Sequence, residues 1–174
     1  MNLERITVEF AAEEDRLVIR VCYSGSAEVL FSLTRRLVKR FWPVLLHMAQ
    51  SKPDIQLQPN PEARRAMLGF EHERALKEVK FTKAVKEPHR DHPLGAGPML
   101  VTRIRARRNE KGLTVLSLLP KEGNAVDLTL GDNLLHGLMK LIQDTATKAE
   151  WGLPLGVPHM AAVVERIPRD RVLN

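Results

Sequence analysis

The sequence predicts an α+β domain made of duplicated β-β-β-α units, with antiparallel sheets packed against helices and a linking helix between the copies. Three observations carry that expectation. Short runs of alternating apolar residues come in threes, each trio is followed by a longer run with apolar residues at helical spacing, and six apolar positions recur at a constant separation. Val29, Phe31, Leu33, Leu37, Phe41 and Leu45 correspond to Val126, Leu128, Leu130, Leu134, Leu138 and Ile142, always 97 residues apart. A repeat of this kind is the signature of one structural unit used twice.

In the first unit, Ile6, Val8 and Phe10 alternate with other residues, and Ala11 to Asp15 turns the chain back. Leu17 to Tyr23 and Ala27 to Leu33 then form a hairpin around Ser24-Gly25-Ser26, with Val29, Phe31 and Leu33 on its buried face. Thr34 offers a hydroxyl as helix N-cap, and Leu37, Val38, Phe41, Trp42, Leu45 and Leu46 set a helix to about Gln50. Pro43 lies inside it, where the missing N–H predicts a kink.

Residues 51–97 join the copies. Lys52 to Asn60 reads as a connector, and Pro61 to about Leu76 as a helix with proline in its first turn. Val79, Phe81 and Val85 alternate and favour a strand over Lys77 to Lys86, although Lys77 and Lys80 also suit a continued helix. Pro88 to Pro98, with Gly95 and Gly97, reads as a loop.

The second unit supplies strands at Met99 to Arg107, Leu113 to Leu119 and Ala125 to Leu130. Leu134, Leu135, Leu138, Leu141 and Ile142 then mark a helix ending near Glu150, before the prolines and glycines of Trp151 to Pro158. The expected organisation is one domain over 1–158, with pseudo-repeats at about 3–50 and 98–150 and a C-terminal tail over 159–174.

Composition narrows the functional classes. A chain of 174 residues with 44% hydrophobic and 28% charged residues can bury a core without a disulfide or cofactor. Its first fifteen residues lack the basic and apolar regions of an export signal, and no apolar run approaches a membrane span, so a cytoplasmic location is expected. The single Cys22 fits a buried thiol in a reducing compartment. The formal charge of +6 is unevenly spread. Lys and Arg exceed Asp and Glu by one in residues 1–50, by six (14 against 8) in 51–112, and fall one short in 113–174.

Three groups of residues invite chemistry. Arg35, Arg36, Lys39 and Arg40 crowd the start of the first helix, where cations oppose the helix dipole. An anion beside them would relieve that conflict, either a bound phosphate or an internal carboxylate such as Glu4, Glu9 or Glu28. Arg103, Arg105 and Arg107 share one face of a strand, with Leu100, Ile104 and Ala106 on the other. Alternate strand residues stand about 6.6 Å apart, comparable to phosphate spacing along an extended single strand. A charged edge strand that resists aggregation would look the same. His72, His89, Asp91 and His92 offer metal-ligand chemistry, but their spacing matches no zinc pattern.

The duplicated order of strands and helix resembles that of Whirly proteins, a family of single-stranded-DNA binders. The likeness covers most of the chain at the level of element order. The Lys-Gly-Lys-Ala-Ala-Leu motif of the plant members is absent, so no binding residue carries over.

No phosphate-binding Gly-rich loop, Gly-x-Ser-x-Gly elbow or His-Glu-x-x-His helix occurs. The expectation is therefore a non-enzymatic binding or assembly module acting as a homo-oligomer, with no cofactor and no membrane partner. Single-stranded nucleic-acid binding is the first alternative, and a metal-dependent enzyme the second.

Overall fold

The computed structural model of the chain describes residues 3–81, 91–95 and 97–158. Three antiparallel strands open the fold: β1 (Leu3–Ala11), β2 (Arg16–Tyr23) and β3 (Glu28–Thr34). Their register sets Ile6, Val8 and Phe10 beside Val21, Ile19 and Leu17, and these beside Val29, Phe31 and Leu33. One face is thereby apolar throughout, as alternation requires. The tight turn before β3 depends on Gly25 at φ 87° and Ser26 at φ 66°.

Helix α1 (Arg35–Gln50) follows without a loop because Thr34 is both the end of β3 and the N-cap, its hydroxyl accepting from the Leu37 N–H at 3.2 Å. Pro43 is accommodated within this one helix on an exposed face. After α1 the expected connector contains a short helix, α2 (Pro53–Gln56), started by Pro53 and anchored by buried Ile55. Helix α3 (Pro61–Glu78) runs two residues past its expected end, and Arg74 pairs with Glu78 across that last turn. Lys77 and Glu78 are therefore helical, and Val79 to Phe81 are extended or bent chain without strand pairing. Residues 82–86 of the expected strand lie outside the described residues.

The expected strand Met99 to Arg107 is divided. β4 (Met99–Leu100) runs parallel to β3, whereas β5 (Arg103–Arg108) runs antiparallel to β6 (Thr114–Leu119). The change of partner falls between Val101, whose N–H donates to Ser32, and Thr102, whose N–H donates to Leu119. Leu100 consequently belongs to a different sheet from Ile104 and Ala106. The first sheet has the order β1-β2-β3-β4, and the second β5-β6-β7, where β7 is Val126–Leu130.

Helix α4 (Asp132–Lys148) completes the fold. It packs against α3 and β1, while α1 packs against β5, β3 and α4, so the main helices cross between the sheets. A continuous apolar core results, joining Phe31, Phe41 and Leu45 with Leu128, Leu138 and Ile142. Trp151 closes one end, edge-on to Phe10 at 6.1 Å and donating its indole N–H to Asp15 at 2.6 Å. Among the described residues no helix is long and apolar enough to cross a membrane.

Three antiparallel strands followed by a helix thus occur in both halves, and Thr34 and Gly131 keep the 97-residue separation as the two N-caps. The halves are not equivalent in detail. Leu37 is only 9% exposed, but its counterpart Leu134 is 38% exposed. The halves therefore share element order while packing their helices differently.

Candidate anion-binding surface

Arg35, Arg36, Lys39 and Arg40 are all exposed on α1, whose first turn contains no acidic residue. Buried Leu37, Val38, Phe41 and Trp42 fix the opposite helix face in the core and leave these cations outside. None of the four makes a hydrogen bond or ion pair among the described residues. The internal carboxylates are not used for them. Glu28 is buried, where it accepts from Arg20 and lies 3.7 Å from the Cys22 thiol; Glu9 and Glu4 are exposed on β1 without an ion pair.

Arg36 and Arg40 line a cleft of about 230 Å³ with Thr34, Leu37, Leu100, Val101 and Thr102. Thr102 of its lining immediately precedes β5, where Arg103, Arg105 and Arg107 are exposed and likewise without a partner among the described residues. Their alternation is enforced by Ile104 and Ala106, which pack against the core. Across the sheet the Arg face continues through Leu119, Ser117 and Val115 to Asp127 and Thr129, with no aromatic side chain.

The histidine set is not drawn together in this way. His72 is buried on α3, His92 and Asp91 are exposed, and His89 lies outside the described residues. The backbone of Asp91 is pinned to the β2–β3 turn through Ser26 and Glu28. Among the described residues no three His, Cys, Asp or Glu side chains are grouped to hold a metal ion.

His72 instead meets a residue not singled out by the sequence. Its Nδ1 lies 2.9 Å from Nδ1 of His136, and both side chains are 4% exposed. One nitrogen must donate and the other accept. Burial, and then repulsion from any charge on the neighbouring His72, pull the His136 pKa down from 6.5 to about 4, so His136 is neutral near pH 7. Beside it, Glu71 accepts from Lys52 at 2.6 Å and Arg74 at 2.7 Å. Burial opposes ionisation of Glu71, but these two cations outweigh it and hold the carboxyl below its usual range.

Arg108 extends the same interior network. It donates to Ser51 Oγ at 2.9 Å, to the Met48 carbonyl at 3.0 Å, to Asp132 at 3.2 Å and to the Gly112 carbonyl. Alternation along β5 contained the signal: Arg103, Arg105 and Arg107 face outward, so Arg108 falls on the core side and needs acceptors there.

No protein-family model, curated protein or solved structure matches the chain.

Proposed function

We propose that the protein is a non-enzymatic binding module whose ligand is single-stranded nucleic acid. One observation carries this reading: Arg35, Arg36, Lys39, Arg40, Arg103, Arg105 and Arg107 are exposed and unpaired among the described residues. Elsewhere, Arg20, Lys52, Arg74, Arg108 and Lys140 are engaged by carboxylates. Exposed Arg65, Lys77, Lys80, Lys111, Lys121 and Lys148 also lack an ion pair among the described residues, but they are spread over separate elements, whereas these seven are gathered on α1 and β5.

The strand geometry favours an extended polyanion. Three guanidinium groups at a repeat of about 6.6 Å can each meet one phosphate of an unpaired strand. Without aromatic side chains on that face, binding is led by phosphate contacts and discriminates weakly among bases. Labelled oligonucleotide should bind with an affinity that falls steeply as salt rises. Absence of binding at roughly 100 μM in low salt, where counterion release favours association most, rules the reading out.

Self-association is a second reading, supported by β1. This strand has only β2 beside it among the described residues, and a groove of about 500 Å³ runs along it under α4. Phe81 and Leu134 line the groove at 49% and 38% exposure. A strand edge beside exposed apolar side chains suits addition of another strand. Light scattering that gives a monomer mass at high micromolar concentration removes this reading and leaves the first intact.

A further inference from the structure

We infer that the cleft between α1 and the Leu100–Thr102 segment is a terminal-phosphate site, so that the protein prefers nucleic-acid ends bearing a phosphomonoester. The inference rests on the nucleic-acid reading and assigns a distinct task to one part of the basic surface.

The two groups of cations differ in how they are arranged. Along β5, Arg103, Arg105 and Arg107 are spread one by one over an open sheet face. Each can meet a single internal phosphodiester, which carries one negative charge. In the cleft, Arg36 and Arg40 stand four residues apart on one helix face and line the same volume of about 230 Å³. Side chains at that separation are neighbours, with Cβ atoms about 5–6 Å apart. Two arginines lining one small volume suit a group with more than one charge and several acceptor oxygens. A phosphomonoester carries about −1.5 to −2 at neutral pH and presents three such oxygens. Guanidinium matches it through paired N–H donors.

The rest of the lining fits an end rather than a passing strand. Besides the arginines, the polar lining is Thr34 and Thr102. The Thr34 hydroxyl accepts from the Leu37 N–H and keeps its own proton to donate, and the Thr102 hydroxyl donates to the Leu119 carbonyl and can still accept. Leu37, Leu100 and Val101 supply an apolar wall, with Leu100 among the exposed apolar residues. No carboxylate lines the cleft to repel the phosphate. Thr102 immediately precedes Arg103, so a strand whose end is held here can continue onto the Arg row.

The experiment compares one fluorescent 12-nucleotide DNA in three forms, with a 5′-phosphate, a 3′-phosphate or neither, by anisotropy at fixed salt. The protein is wild type, Arg36→Ala/Arg40→Ala or Arg103→Ala/Arg105→Ala. All four positions are exposed, and circular dichroism confirms that each variant is folded. For wild type, one phosphorylated form should bind about tenfold tighter than the bare oligonucleotide, the factor expected of one added charge-assisted contact. Which end is preferred identifies the polarity. The Arg36/Arg40 variant should lose that ratio, whereas the Arg103/Arg105 variant should keep it while binding all three forms more weakly.

Equal binding of all three forms by wild type overturns the inference and spares the nucleic-acid reading. Equal loss of the ratio in both variants also overturns it, because the terminal phosphate then acts only as added charge. Failure of any form to bind overturns both readings together.

Discussion

Two groups of cations in this molecule are alike in sequence and opposite in structure. Arg103, Arg105 and Arg107 on β5 and the four cations of α1 are exposed and unpaired among the described residues. Lys52, Arg74 and Arg108 lie across the α1, α3 and α4 ends, engaged by Glu71, Glu78 and Asp132. The paired group, partly buried at Lys52, Glu71 and Arg108 and exposed at Arg74 and Glu78, balances three positive against three negative charges, and the unpaired group balances nothing. Net charge counts both equally, but only the second is available to a ligand. Stability should therefore depend on the partly buried pairs of Lys52, Glu71, Arg108 and Asp132, and salt-sensitive binding on the unpaired cations.

The largest effect that would sharpen this contrast is expected from Arg108→Ala. Four acceptors each lose a donor at once, among them Asp132 at the start of α4 and the Met48 carbonyl near the end of α1, which keeps only the Ser51 hydroxyl and N–H. Breaking a partly buried charge network leaves the remaining groups unsatisfied, at a cost of about 2–4 kcal/mol. Urea denaturation should show that loss as a lower midpoint. A midpoint unchanged within error would place Arg108 with the exposed cations.

Acid should weaken the same region through His136. Its pKa is about 4 in the fold and 6.5 when the unfolded chain exposes it to water, so between these values the unfolded chain binds the additional proton. Stability is complete above pH 6.5, falls as pH drops toward 4, and loses on the order of 3 kcal/mol by then. Glu71 adds to the loss at lower pH, because its carboxyl is held below its usual value in the fold. Denaturation midpoints at pH 7.5, 6, 5 and 4 measure the slope. His136→Gln should flatten the decline between pH 6.5 and 4.5.

The two helix starts offer a smaller test. Thr34 caps α1 with its side chain, whereas Gly131 gives α4 no side-chain cap. Thr34→Ala should cost about 1 kcal/mol. Gly131→Ser should stabilise by a few tenths, since Gly131 has φ −70° and a Cβ there meets nothing within 4 Å. Thermal unfolding reads both.

The fold was legible wherever periodicity alone decides. Alternation located β1 to β3, β6 and β7, and helical spacing located α1, α3 and α4, because burial on one face imposes those periods. Met99 to Arg107 misled because apolar alternation cannot reveal that a chain changes strand partners at Val101–Thr102. At the basic surface, alternation correctly set the three odd-numbered arginines outward. It did not indicate which carboxylates answer which cations, since Lys52–Glu71 and Arg108–Asp132 pairings span 19 and 24 residues. His136 was hidden among Leu135, Gly137 and Leu138, where its partner comes from another helix.

The smallest stability effect is expected from Arg103→Gln/Arg105→Gln/Arg107→Gln, and it is the most informative about function. Glutamine removes the charge but keeps part of the aliphatic stem, which matters because buried Val115 stands directly opposite Arg107. With no internal ion pair to lose, the urea midpoint should move by no more than about 0.5 kcal/mol equivalent. Binding should respond differently. Three phosphate contacts on a single strand contribute a slope of about −2 to log K against log salt, at roughly −0.7 per contact. The variant should bind single strands more weakly and lose about that much of the slope, with the residual salt dependence carried by the α1 cations. A destabilisation above about 2 kcal/mol would show instead that the row belongs to the fold, and an unchanged slope that its charges meet no phosphate.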